Sequence, residues 1–257
     1  MKKHLLSLLT TAASLLAFNT SVMPAAAEDS PFSVSGNAMV RNRYVGFGNG
    51  PVLYSKAVIQ SGLTINHNPT GLFYGIWAST GFNKAWSSGW DDEIDHTFGW
   101  SHSFGNYQFT VAEVYFDDFQ VGEFAANDIW YTNVTLSRKA IDVTSWLSLS
   151  PYVQYEYYET VSGTPFKGGN LFGVGVGTSL KIAAKLSLDS TSGIKYDDGI
   201  GGGKTGSVFF KNSSTLNWSV NKNWTVNVIE ATVWVPLSTG DSRSTECVLG
   251  TGVSFKF

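Results

Sequence analysis

The sequence is poor in cysteine, poor in charge and without a long apolar run, and each shortage removes a class of protein. A single cysteine, Cys247, in 257 residues allows no internal disulfide, so the chain is not a small stapled scaffold. No basic residue or histidine adjoins Cys247, which makes it a small apolar strand residue rather than a reactive thiol. Charged residues are 14% of the chain, against roughly 25% in an average soluble domain. Beyond residue 27 no segment reaches about 18 consecutive apolar residues, so no helix is expected to cross a membrane.

What is present begins with a leader. Lys2, Lys3 and His4 precede an apolar stretch from Leu5 to Phe18, and Ala25-Ala26-Ala27 follows. This is the layout of a cleavable Sec-type signal, with the cut expected after Ala27. The stretch is 14 residues long, short of the roughly 20 a spanning anchor needs. Losing Lys2 and Lys3 leaves the mature chain, residues 28–257, with 15 basic against 20 acidic residues and a net charge of −5. That balance argues against a nucleic-acid partner. An exported chain with 27 glycines and 14% aromatics fits either a large soluble β-sandwich or a transmembrane β-barrel.

Period-two alternation decides between them, because a barrel strand must turn every second side chain toward hydrocarbon. In residues 171–182, Phe172, Val174, Val176, Leu180 and Ile182 share one face, while Gly173, Gly175, Gly177, Ser179 and Lys181 share the other. Residues 186–196 repeat the sorting after a tight connection. The pattern predicts twelve strands, at 32–46, 52–66, 71–82, 93–104, 106–117, 128–138, 146–158, 168–182, 184–196, 206–220, 223–236 and 245–257. At about 11–15 residues they exceed the roughly 5–6 of a sandwich strand and suit a tilted crossing. Short turns such as "FGN" (104–106) and "VNKN" (220–223) fall at one end, and longer acid-bearing loops at the other. The expected fold is all-β: a transmembrane antiparallel up-and-down barrel of about twelve strands, with short periplasmic turns and longer external loops.

Two strands sort badly. In "NYQFTVAEVYFD" (106–117), turning Glu113 inward also turns Tyr107, Phe109 and Val111 inward, which implies an aromatic-filled lumen or a bulge. In "NWTVNVIEATVWVP" (223–236), a bulge near Ile229–Glu230 would return both apolar halves to lipid and turn Glu230 inward.

The alternation places Arg41, Arg43, Lys56, Gln60, Gln154, Glu156, Lys181, Asp189, Lys195, Lys211, Glu230 and Lys256 in the lumen. Closure of the last strand on the first gathers Lys256, Arg41, Arg43 and Lys56 into a basic wall, which favours anions or polar solutes. The alternative is that inward charges pair and plug the barrel; twelve strands lie between the filled interior of about eight and the open channel of about 16. Aromatic girdles are expected from residues near strand ends, namely Tyr44, Trp77, Trp100, Phe104, Trp130, Trp146, Tyr157, Trp218, Trp224 and Trp234.

Other chemistry finds little footing. "GIGGGKT" (199–205) ends like a phosphate loop, but position 198 is Asp198 and no strand-to-helix context follows. A hydrolase would draw on "DDEIDHTFGWSH" (91–102), yet the adjacent Asp95 and His96 point to opposite faces of a strand. The acidic clusters at 91–95, 117–118 and 197–198 lack EF-hand spacing, so no metal or cofactor is assigned.

"FSVSGNAMV" (32–40), "AVIQSGLTINH" (57–67) and "GLFYGIWAS" (71–79) resemble the opening strands of the TorF-like porin family. The first loop, "RNRYVGFGNGP" (41–51), departs from that family, and beyond about residue 105 the likeness is architectural. The resemblance implies an exported barrel with a porin role and transfers no site residues. The C-terminal "GTGVSFKF" (250–257) alternates Val253, Phe255 and Phe257 outward, which resembles the signature read by the outer-membrane assembly machinery. The expectation is a monomer in the outer membrane of a Gram-negative bacterium, in contact with lipid and lipopolysaccharide. It would pass small polar or anionic solutes, or else be a closed barrel with a structural or loop-binding role; a hydrolase is a third reading.

Overall fold

A computed structural model describes residues 30–46, 50–82, 92–117, 128–160, 167–200, 204–239, 241 and 243–257. The leader assigned to residues 1–27, Asp91 of the acidic cluster and much of three external loops lie outside them.

Among the described residues fifteen strands follow in chain order. They are β1 (Phe32–Arg41), β2 (Tyr44–Val45), β3 (Val52–Tyr54), β4 (Val58–His67), β5 (Leu72–Gly81), β6 (Glu93–Phe104), β7 (Tyr107–Asp117) and β8 (Ile129–Arg138). There follow β9 (Ile141–Asp142), β10 (Leu147–Tyr158), β11 (Gly169–Ala183), β12 (Leu186–Asp198), β13 (Thr205–Ser219), β14 (Trp224–Pro236) and β15 (Glu246–Lys256). The twelve long strands pair antiparallel with their neighbours all the way round, and β10 on β11 completes the ring. The result is a closed twelve-stranded barrel. The short β9 extends β10, and β2–β3 form a separate hairpin.

Closure depends on the end of the chain. β15 pairs with β1 from Ser35↔Lys256 to Arg41↔Gly250. Phe257 then exchanges both backbone hydrogen bonds with Val34, at 2.7 and 2.9 Å. The last residue is therefore part of the wall, and the ring of twelve long strands has no open edge. At the short-turn end Gly71 has φ 76°, and a Cβ there would lie 2.0 Å from the Ser101 carbonyl oxygen; only glycine fits.

The outer wall is apolar where the alternation requires it: Val174 is 58% and Phe172 51% exposed, and Val153, Ile194, Trp218 and Leu249 are exposed around the ring. So broad an apolar surface marks a lipid-facing wall. Cys247 also lies on this outer face, exposed.

The bulge in β14 is present. Register slips between Asn227 and Glu230 against β15, and Val228 is the extra residue against β13. Val228 and Ile229 are both exposed and Glu230 is buried, as the sequence predicts. The other irregular strand turns out differently. β7 keeps register with both neighbours, and Glu113 faces outward with Tyr107, its carboxylate accepting a 2.8 Å hydrogen bond from Thr132 Oγ1. Neither a bulge nor an aromatic-filled lumen is needed; the outer wall holds a carboxylate satisfied by a cross-strand hydroxyl. A larger polar cluster on the same face uses the same device. Asn212 Nδ2 donates to Ser190 and Ser192 at 3.0 and 2.8 Å, and Ser214 donates to Asn212 Oδ1.

Candidate functional site

The inward faces of the strands enclose a cavity of about 810 Å³. Toward the short-turn end its lining is hydroxyl and amide, from Asn133, Thr135, Ser137, Ser150, Thr191 and Ser213. At mid-height it meets charged side chains, and toward the external end aromatic ones.

The charges are largely paired. Arg41 grips Glu230 through both carboxylate oxygens, at 2.8 and 2.9 Å, and donates from Nη1 to Gln60 Oε1. Gln60 in turn donates to Ser79 Oγ at 3.2 Å. Gly250 makes room for this network: a Cβ there would lie 2.9 Å from Arg41 Cγ and 3.1 Å from Glu230 Oε2. A second pair joins Lys195 to Glu156 at 2.9 Å, with Tyr158 Oη donating to the other Glu156 oxygen at 2.8 Å. Gly173 leaves space for the Lys195 stem, 3.3 Å from its would-be Cβ. Tyr152 lies flat over Gly175 and Gly193, its hydroxyl 2.6 and 2.7 Å from where their Cβ atoms would be. The ring thus hugs the wall instead of crossing the lumen.

Arg41, Gln60, Gln154, Glu156, Lys195 and Lys211 line this one cavity, and Glu230 touches it through Arg41. The expected basic wall does not assemble. Arg43 lies beyond the end of β1, ion-paired to Glu246 at 2.9 Å. Lys56 lies in the break between β3 and β4, exposed, because the chain leaves the wall there. Lys181 and Lys256 are exposed at the short-turn end of their strands. Asp189 faces inward, held by Ser179 at 2.5 Å and Asn217 at 2.6 Å.

The two strands expected at 32–46 and 52–66 are each interrupted, at residues 42–43 and 55–57. Between the breaks, the β2–β3 hairpin turns into the barrel mouth. Tyr44 donates to Glu93 Oε2 at 2.6 Å and packs on Trp77, and Val45 joins the interior. Gly50, at φ 101°, sets its backbone against Trp234, with a would-be Cβ 3.2 Å from Cδ1. Trp77, Trp234 and Tyr44 are therefore lumen residues and not girdle residues. Trp130, Tyr157 and Trp218 do face outward at strand ends, and Trp146 is exposed just before β10. For Trp234 the clue was available: the bulge that turns Glu230 inward also turns inward the residue four further on.

Beside the hairpin, inward apolar side chains close ranks. Phe116, Ile129, Tyr158, Leu171, Phe209 and Trp234 form one buried cluster with Ile200. Ile200 reaches it because Asp197 folds the turn, accepting backbone hydrogen bonds from Gly199 and Ile200 at 2.8 and 3.0 Å. Arg243, from the last loop, bonds Asp197 at 2.6 Å and Asp241 at 2.7 Å and stacks over Phe209. The Arg243 guanidinium holds the Asp241 carboxyl below the usual carboxylate range. The external end thus carries three inward-turned segments over an apolar layer.

The hydrolase candidate is taken apart by the pleat. Asp95 lines the cavity, whereas His96 Nδ1 is 2.8 Å from Tyr74 Oη on the other face. Among the described residues no group of metal-ligating side chains gathers.

Many solved structures share this fold, and two of them are outer-membrane barrels of similar length. One is a KdgM porin, 11% identical with a TM-score of 0.51, covering 88% of this chain and 99% of that one. The other is the COG4313 outer membrane channel from Pseudomonas putida F1, 12% identical with a TM-score of 0.54, covering 92% of this chain and 100% of its own. At such identities the likeness is one of fold. No protein-family model and no curated protein matches the sequence.

Proposed function

We propose that this chain is an outer-membrane β-barrel that lets small polar solutes diffuse passively through its lumen. The observation that carries the reading is the polar cavity of about 810 Å³ inside a closed wall. Hydroxyl and amide groups line it toward the short-turn end, so a solute can exchange water for protein hydrogen bonds without a large barrier. The pairing of Arg41 with Glu230 and Lys195 with Glu156 neutralises these four charges at mid-height. The hairpin and the apolar layer restrict passage to small molecules.

The exposed apolar outer wall supports a place in the outer membrane, in contact with lipid and lipopolysaccharide. The closing strand ending at Phe257 supports recognition by the assembly machinery, and the leader supports Sec-type export. We take the barrel as a monomer. A second reading, a closed barrel with a structural or loop-binding role, is favoured by the buried cluster of Phe116, Leu171, Phe209 and Ile200 at the external end.

Swelling of liposomes containing the refolded protein separates the two. The channel reading expects swelling in the smallest sugars and amino acids, falling off steeply with solute size. Swelling no faster than in protein-free liposomes for every solute would favour the closed barrel.

A further inference from the structure

We infer that Lys211, on β13, is the anion-binding side chain of the interior, taking a halide or the carboxylate of a small solute. The site is built by elimination among the charges of one cavity. Arg41 and Lys195 each have a carboxylate, Glu230 and Glu156 respectively. Lys211 lines the same cavity, and among the described residues it has no such partner. Its register neighbours supply none: Gly193 has no side chain, and Trp234 offers a ring, 5.1 Å from the ammonium to its centroid. The charges that act on Lys211 most strongly are Lys195, Glu156, Arg41 and Glu230. They are two of each sign and already paired, so they cancel to first order at Lys211; Asp95, the further carboxylate of the cavity, stands on β6, across the ring from β13.

A cation held over an aromatic face is oriented by it and still has ammonium hydrogens to give. A monovalent anion would complete the set, and an adjacent ring suits the apolar part of a carboxylate-bearing solute. The anion preference expected from a basic wall at Arg41, Arg43, Lys56 and Lys256 then comes from a single residue three strands away. Trp234 also carries the backbone of Gly50, so the site lies directly beneath the hairpin.

As a role in selectivity this rests on the channel reading; as a binding site it does not, and Trp234 gives a readout without flux. The probe is iodide, a charged quencher of indole fluorescence, with acrylamide as the neutral control. The Trp234 contribution is the difference between the otherwise unaltered protein and Trp234→Phe, both refolded in vesicles. With a cation about 5 Å away, iodide should be enriched about fourfold near the ring even at the dielectric of water. Lys211→Met should lower the iodide quenching of Trp234 by about that factor and leave acrylamide quenching unchanged. Lys211→Arg, the variant that guards against misfolding, should keep it. Equal iodide quenching in Lys211→Met, or none of Trp234 in the parent, would overturn the site. Quenching that follows the charge at 211 in a barrel that passes no solute would keep the site and remove the channel.

Discussion

Replacing Lys195 with methionine keeps most of the side-chain stem beside Gly173 and removes the charge that Glu156 faces. Both partners are almost wholly inside, with side chains 7% and 6% exposed. Glu156 would keep the hydrogen bond from Tyr158 but lose its ion-pair partner. Breaking a buried ion pair by removing one partner costs about 3–5 kcal/mol. Because this pair borders a cavity wide enough for water, the lower end, about 3 kcal/mol, is expected. Changing Glu156 to Gln in the same chain keeps an acceptor for Tyr158 and deletes the stranded charge, so much of the loss should return, a coupling of roughly 2 kcal/mol. The assay is reversible urea unfolding of the barrel in phospholipid vesicles, followed by tryptophan fluorescence for the two single variants and the double. A Lys195→Met protein within about 0.5 kcal/mol of the parent, with no coupling to Glu156, would refute the reasoning and mean that water solvates both charges.

Three further outcomes follow from particular contacts. Gly50→Ala introduces a Cβ at φ 101° and 3.2 Å from Trp234; strain of about 1–3 kcal/mol should loosen the hairpin, read as faster acrylamide quenching of Trp234 and larger solute flux. Deleting Val228, the extra residue, leaves Asn227 inward, Ile229 outward and Glu230 inward, so β14 keeps its faces and its register without the bulge; the variant should still reach the folded, heat-modifiable band on gels. Asp241 is depressed by Arg243, so its contribution is fully present above the ordinary carboxylate value near 3.8. That contribution disappears as pH falls through the lower folded value. Hydrogen exchange around residues 241–243 should rise only below that point, and Asp241→Asn should abolish the pH dependence.

The wall of the barrel could be read from the sequence because lipid imposes period-two alternation on every strand. Residues 171–182 and 186–196 show it plainly, and even the irregular 223–236 segment is accounted for by one bulge, expected near Ile229–Glu230 and found at Val228. Glu113 and the Ser190–Asn212 cluster could not, since they are tolerated outside by cross-strand hydrogen bonds that alternation does not encode. The interior was legible as a set of inward positions and not as a network. Arg41 meets Glu230 from 189 positions away, a juxtaposition fixed by register and closure. The sequence reads as continuous strand through the hairpin because residues 44–45 and 52–54 do have strand character. What draws them into the mouth is Glu93, Trp77 and Trp234, each remote in sequence.

A channel requires that the polar interior be a continuous path. Single-channel recording of the refolded protein in a planar bilayer, under a potassium chloride gradient, tests this most directly. The account predicts small, discrete conductance steps with a reversal potential displaced toward chloride, and loss of that displacement in Lys211→Met. A silent bilayer at protein densities that give folded, inserted barrel would contradict it.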